Sequence, residues 1–113
     1  IEPGTVIIGD YDSKASLIIT KGASIIAEGL ETDPIVFTSN REVRKAGDWG
    51  GIIILGDAPI NKFGNTSSVN FATDPILSSY GGANTNNNSG ILKFVRIEFA
   101  GAKVKGSDNF NQL

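Results

Sequence analysis

Short apolar runs, each a few residues long and bounded by glycine, proline, aspartate or asparagine, recur along this 113-residue chain. They fall at residues 6–8, 17–19, 24–27, 35–38, 52–55 and 92–99, and isoleucine and valine dominate them. β-Branched side chains suit a pleated strand, and the intervening turn formers interrupt any longer element. No segment carries the three- and four-residue apolar spacing of a long amphipathic helix, and the polar stretch at residues 40–45 has room for one helical turn at most. The expected class is all-β. Fourteen glycines supply the turns, and a hydrophobic fraction of 40% against 19% charged residues is enough to form a core.

Two of the runs resemble each other. Pro3-Gly4-Thr5-Val6-Ile7-Ile8 and Lys21-Gly22-Ala23-Ser24-Ile25-Ile26 align at an offset of 18, as glycine, small residue, spacer and two isoleucines. An offset near 20 suits a solenoid, in which three short strands and three turns return the chain to the same lateral position one layer on. On this reading the strands at residues 35–38, 51–55 and 95–99 stack as successive layers. In the last of them Val95, Ile97 and Phe99 share one face and Arg96 and Glu98 the other, which places Ile97 in the core. Leu92 and Phe94 are out of phase with that alternation, so a bend or a buried strand end is required there.

Residues 61–90 depart from the pattern and form a long polar insertion. Phe63, Phe71, Ile76, Leu77 and Tyr80 within it predict partial packing onto the scaffold. The asparagine-rich tract at residues 84–89 reads as a mobile or solvated tip.

Composition excludes several kinds of chemistry. The chain has no cysteine and no histidine, so disulfides, thiolate nucleophiles and the commonest general base and metal ligand are absent. A net charge of −2 from interspersed acids and bases provides no basic stripe for a nucleic acid. No apolar run approaches the roughly 20 residues of a transmembrane helix. The lack of methionine, with Ile1 first, predicts a mature or trimmed segment.

Together the blocks resemble the right-handed parallel β-helix surface proteins common in Bacteroidota, which have a pectin-lyase-like superfamily fold. The residues that carry the resemblance are Pro3-Gly4-Thr5, Gly22-Ala23-Ser24-Ile25-Ile26-Ala27-Glu28-Gly29, Asp33-Pro34-Ile35-Val36-Phe37-Thr38-Ser39, Gly47-Asp48-Trp49-Gly50-Gly51-Ile52, Ala58-Pro59-Ile60-Asn61 and Ser89-Gly90-Ile91-Leu92-Lys93-Phe94-Val95-Arg96-Ile97-Glu98-Phe99-Ala100-Gly101. The resemblance implies one incomplete β-helix domain over residues 1–113, with further coils beyond it; Asn109-Phe110-Asn111-Gln112-Leu113 looks like the start of another layer. It also implies export to the cell surface and anchorage such as that of an outer-membrane lipoprotein; a place in a larger surface assembly is a separate reading of the segment. Activity is not implied, because related folds serve many functions.

No catalytic set emerges from the residues themselves. Asp48-Trp49 is the most conspicuous pair: an indole beside a carboxylate can stack on a sugar and hydrogen-bond its hydroxyls. The competing and favoured reading has Trp49 covering a strand end while Asp48 makes a turn. Arg96 and Glu98 share an outward face, where an exposed ion pair is the ordinary reading and a ligand contact the sharper one. Tyr80 completes the candidate ligand-binding set. Asp10-Tyr11-Asp12 and Asp108-Asn109 offer oxygen ligands for calcium but fall short of a full set, so turn chemistry is favoured and no cofactor is expected. Asn65-Thr66-Ser67 and Asn87-Asn88-Ser89 match the N-glycosylation pattern. The function expected is a surface structural or binding module whose partner is a glycan or a protein, and the alternative is a carbohydrate-active enzyme with part of its site outside this segment.

Overall fold

The computed structural model describes residues 1–69 and 74–103. Its elements follow the apolar runs: β1 (Val6–Gly9), β2 (Ser16–Ile19), β3 (Ile25–Glu28), β4 (Ile35–Ser39), β5 (Gly51–Ile54), β6 (Thr66–Ser68), the single helical turn α1 (Pro75–Ser78), β7 (Ser79–Gly81), β8 (Gly90–Lys93) and β9 (Val95–Ile97). The protein is all-β with parallel sheets. One three-stranded sheet has the order β1-β4-β9, and two-stranded sheets pair β2 with β5 and β3 with β8, all in parallel. Apart from β6 and β7, consecutive strands therefore fall in different sheets.

This arrangement corrects the expected repeat. The two similar Gly-x-x-Ile-Ile blocks lead into β1 and β3, which belong to different sheets, so the offset of 18 does not separate one layer from the next. The hydrogen-bonded partners are further apart in sequence: Val6 faces Val36 and Ser16 faces Gly51. The expected stack of residues 35–38, 51–55 and 95–99 is likewise only partly formed. β4 and β9 are neighbours, whereas β5 lies against β2.

Alternation of side chains builds the core. Ile35 and Phe37 of β4 are fully buried, and Ile25, Ala27 and Trp49 join them, with Ile7, Leu17, Ile19, Ile52, Val95, Phe99 and Ala100 packed around. Each large buried apolar side chain contributes about 1.5–3 kcal/mol relative to exposure. Register carries the pattern across the first sheet: Ile7, Phe37 and Ile97 form one inward column, and Val6, Val36 and Arg96 an outward one. Ile97 differs from expectation in burial. It is 48% exposed, because the β4 side of its strand is covered while no described strand pairs with the other side.

The slip in phase between Leu92 and Val95 has a backbone cause. Phe94 adopts φ 49°, in the left-handed region, and separates β8 from β9, which belong to different sheets. At the other end of β8, Gly90 has φ 124°, and a β-carbon there would stand 1.8 Å from the carbonyl oxygen of Ile25. Only glycine lets the strand begin against β3.

The insertion is more ordered than a loop. β6 and β7 pair antiparallel, with Ser67 opposite Tyr80, and Asp74 caps α1 by accepting from the Ile76 amide. Its root is fastened where the Gly81 amide donates to Gly56 and the Asn84 amide to Asp57. The expected packing fails for three of its apolar residues, since Phe63 is fully exposed and Ile76 and Leu77 are exposed as well, whereas Tyr80 is half-buried. Phe71 lies outside the described residues, as does the further layer expected at residues 109–113. The asparagine-rich tract is structured by its own side chains, with the Asn86 amide donating to Asn84 Oδ1 and the Gly90 amide to Asn88 Oδ1.

Candidate functional site

The outward face of the β1-β4-β9 sheet brings together the most exposed polar pair of the candidate residues. Strand alternation turns Arg96 outward in the column above Val36 and Val6, and it turns Glu98, just past β9, to the same side. The Arg96 guanidinium is ion-paired with the Glu98 carboxylate. The other carboxylate oxygen of Glu98 accepts from the Thr38 hydroxyl at 3.2 Å, so a residue of β4 holds the acid from the adjacent strand. Arg96 remains 64% exposed in its side chain, and Val6 and Ile8 are exposed on the same sheet. The resulting surface combines a pre-oriented planar donor with flanking aliphatic side chains. Such a surface suits a ligand that has hydroxyl or carboxylate oxygens and an apolar C–H face.

Asp48 and Trp49 stand behind this surface. Each is only 2% exposed. The indole stacks on Phe37 with centroids 6.4 Å apart and rings 13° from parallel, and Gly9 lies directly against it. Its Nε1–H donates to the Glu98 carbonyl at 2.7 Å. Neither residue is placed to touch a ligand, and any part they take in recognition runs through Glu98.

The Asp48 carboxylate is the centre of a buried network. It accepts from the Ser39 hydroxyl at 2.8 Å, the Lys45 amide at 3.0 Å and the Arg41 guanidinium at 3.0 Å. Burial alone would raise its pKa, but the bonds from Lys45, Ser39 and Arg41, together with the charge of Arg41, outweigh that effect and bring the carboxyl below the usual carboxylate value. Charged Asp48 is thus the form the fold is built around.

Next to this network, Asp10 is occupied by turn chemistry. Its carboxylate accepts from the hydroxyl and amide of Ser13 and from the side-chain amide of Asn40, bonds that hold its pKa below the ordinary value, with Ser13 the largest cause. Asn40 returns a bond by accepting from the Tyr11 amide, and the Tyr11 ring lies under the Lys14 ammonium at 3.5 Å and the Arg41 guanidinium at 4.3 Å. Among the described residues no group of three or more acidic side chains gathers as a metal-binding set. Asp108 and Asn109 lie outside the described residues.

Tyr80 is half-buried on β7, and its strand pairs with β6. The hydrogen bonds and strand pairings join Arg96, Glu98, Thr38 and Trp49, and they place Tyr80 on a separate element. Sequence reasoning missed Thr38 and the link from Trp49 to Glu98, both of which depend on contacts between residues about 50 to 60 positions apart.

No curated protein and no solved structure matches the chain. A family match extends over residues 1–113, to the family described as pectate-lyase-like beta helix domain. The chain therefore belongs to the pectate-lyase-like beta helix domain family.

Proposed function

We propose that this domain is an extracellular or cell-surface module, its strands wound as a right-handed coil, that binds a glycan across the outward face of β1, β4 and β9. Arg96 and Glu98 are its polar contacts. One observation carries the reading: an exposed guanidinium held in place by a carboxylate, itself held by Thr38, on a parallel sheet that also presents Val6 and Ile8 to solvent. A sugar ring matches this chemistry, with hydroxyl oxygens for the guanidinium and a C–H face for the aliphatic side chains. The family description favours a carbohydrate-related role. Export and surface anchorage of the Bacteroidota type belong to the same proposal and rest on the sequence resemblance.

That description also favours a second reading, a carbohydrate-active enzyme of the lyase kind. Proton abstraction there needs a free base beside a cation. In this site Glu98 is engaged by both Arg96 and Thr38, which favours binding over turnover. Glycan-array screening of the wild-type protein and Arg96→Ala tests the first reading, with retention of a defined glycan class expected for the wild type and its loss in the variant. Release of unsaturated uronide from pectate, alginate or heparin-like substrates, measured with and without calcium, contradicts it in favour of the second.

A further inference from the structure

We infer that the Gly47-Asp48-Trp49 segment, whose Asp48 and Trp49 are buried, is a positioning element for the Arg96–Glu98 pair, fixing the backbone from which the proposed glycan contacts project. Its functional meaning rests on the binding reading above.

Four hydrogen bonds tie the segment to the turn that follows β9. The Gly47 amide donates to the Ala100 carbonyl at 2.9 Å, the Asp48 amide to the Phe99 carbonyl at 3.0 Å, and the Trp49 indole to the Glu98 carbonyl at 2.7 Å. In the opposite direction the Ala102 amide donates to the Trp49 carbonyl at 3.0 Å. The bonds thus reach Glu98, Phe99, Ala100 and Ala102. This turn needs such support, because Phe99 sits at φ 60°, a left-handed conformation that a bulky side chain adopts only when its surroundings impose it.

The clamp is anchored on its other side. Asp48 is bonded through its carboxylate to Ser39 at the end of β4, and the Trp49 ring is stacked on Phe37 of the same strand. The same strand contributes Thr38, which holds the Glu98 carboxylate. β4 therefore grips Glu98 twice, at the carboxylate through Thr38 and at the carbonyl through Trp49. With both ends fixed, the guanidinium paired to Glu98 has a defined position without spending ligand affinity on ordering it.

The test compares Trp49→Phe, which keeps a ring on Phe37 and removes the donor, with replacement of Trp49 by benzothienylalanine, a closer isostere that also lacks the N–H. Residue-resolved amide hydrogen exchange is read together with binding to two probes, a de-esterified trigalacturonate and a neutral cellotriose. Exchange at the Gly47, Asp48, Glu98 and Ala102 amides, which donate in and beside the clamp, is expected to quicken about tenfold, the scale of one lost hydrogen bond, while β2 and β5 keep wild-type rates. Binding of whichever probe the wild type retains is expected to weaken by a similar factor. Wild-type exchange at the Gly47, Asp48, Glu98 and Ala102 amides in both variants overturns the inference, and so does equal acceleration in β2 and β5, which marks a general loss of stability. If the wild type retains neither probe, or Arg96→Ala binds as the wild type does, the binding reading fails, and the exchange pattern still decides the positioning role.

Discussion

Gly9 lies flat against the indole of Trp49, so close that a β-carbon on Gly9 would stand 2.6 Å from Cδ2 of the ring. The approach lets the end of β1 pass behind the residue that stacks on Phe37. Gly9→Ala is expected to displace the indole and destabilise the fold by about 1–3 kcal/mol, the usual cost of overpacking. Trp49 is the one tryptophan of the chain, so its fluorescence reports the change directly. A denaturant midpoint and an emission maximum equal to those of the wild type contradict this packing.

Asp48 predicts an acid limb in the stability curve. Its folded-state pKa lies below the ordinary value of 3.8, so the unfolded chain binds a proton more readily. The stability it contributes is therefore complete above the unfolded pKa and is lost as pH falls through the folded one. Thermal melts of the wild type are expected to hold steady with respect to this group above about pH 5 and to decline below about pH 4. Asp48→Asn is expected to be less stable at neutral pH, because Arg41 loses its partner, and to show a shallower acid decline. Parallel acid limbs in the two proteins assign the effect to other carboxylates.

The outward pair is expected to matter little for folding. Arg96 is mostly exposed, and solvent screens its ion pair with Glu98, so Arg96→Ala should change stability by no more than about 1 kcal/mol. Glycan retention should nevertheless fall sharply. A variant that unfolds, or one that binds as the wild type does, contradicts the division between scaffold and contact surface.

Phe63 is fully exposed on the insertion, so Phe63→Ser removes no core contact. Its effect on unfolding free energy is expected to fall within about 0.5 kcal/mol, and self-association is expected to decrease. Differential scanning calorimetry with sedimentation analysis checks both. A loss of several kilocalories would mean that the ring is buried in solution.

The class of the fold could be read from the runs of isoleucine and valine, because strand propensity and turn residues act locally. The pairing of strands could not. β1 and β3 share a Gly-x-x-Ile-Ile pattern since both follow a turn and face the same core, yet they lie in different sheets. Local similarity records that common environment, and register depends on contacts far apart in sequence. The insertion misled for a related reason: aromatic and aliphatic residues predict burial on average, but Phe63, Ile76 and Leu77 are on an antiparallel arm rooted at Gly56 and Asp57. In the site, the outward placement of Arg96 and Glu98 followed from alternation. The roles of Thr38 and Trp49 did not, because their bonds to Glu98 cross between segments that only folding brings together.

The most direct test of glycan recognition on the β1-β4-β9 face is a titration of the isotope-labelled protein with an oligosaccharide selected on the array, followed by residue-resolved NMR shifts. Shifts are expected to concentrate at Val6, Ile8, Val36, Thr38, Arg96 and Glu98, with β2 and β5 unperturbed. Shifts centred on β2 and β5, or saturating binding that leaves Arg96 and Glu98 unmoved, would contradict recognition on this face.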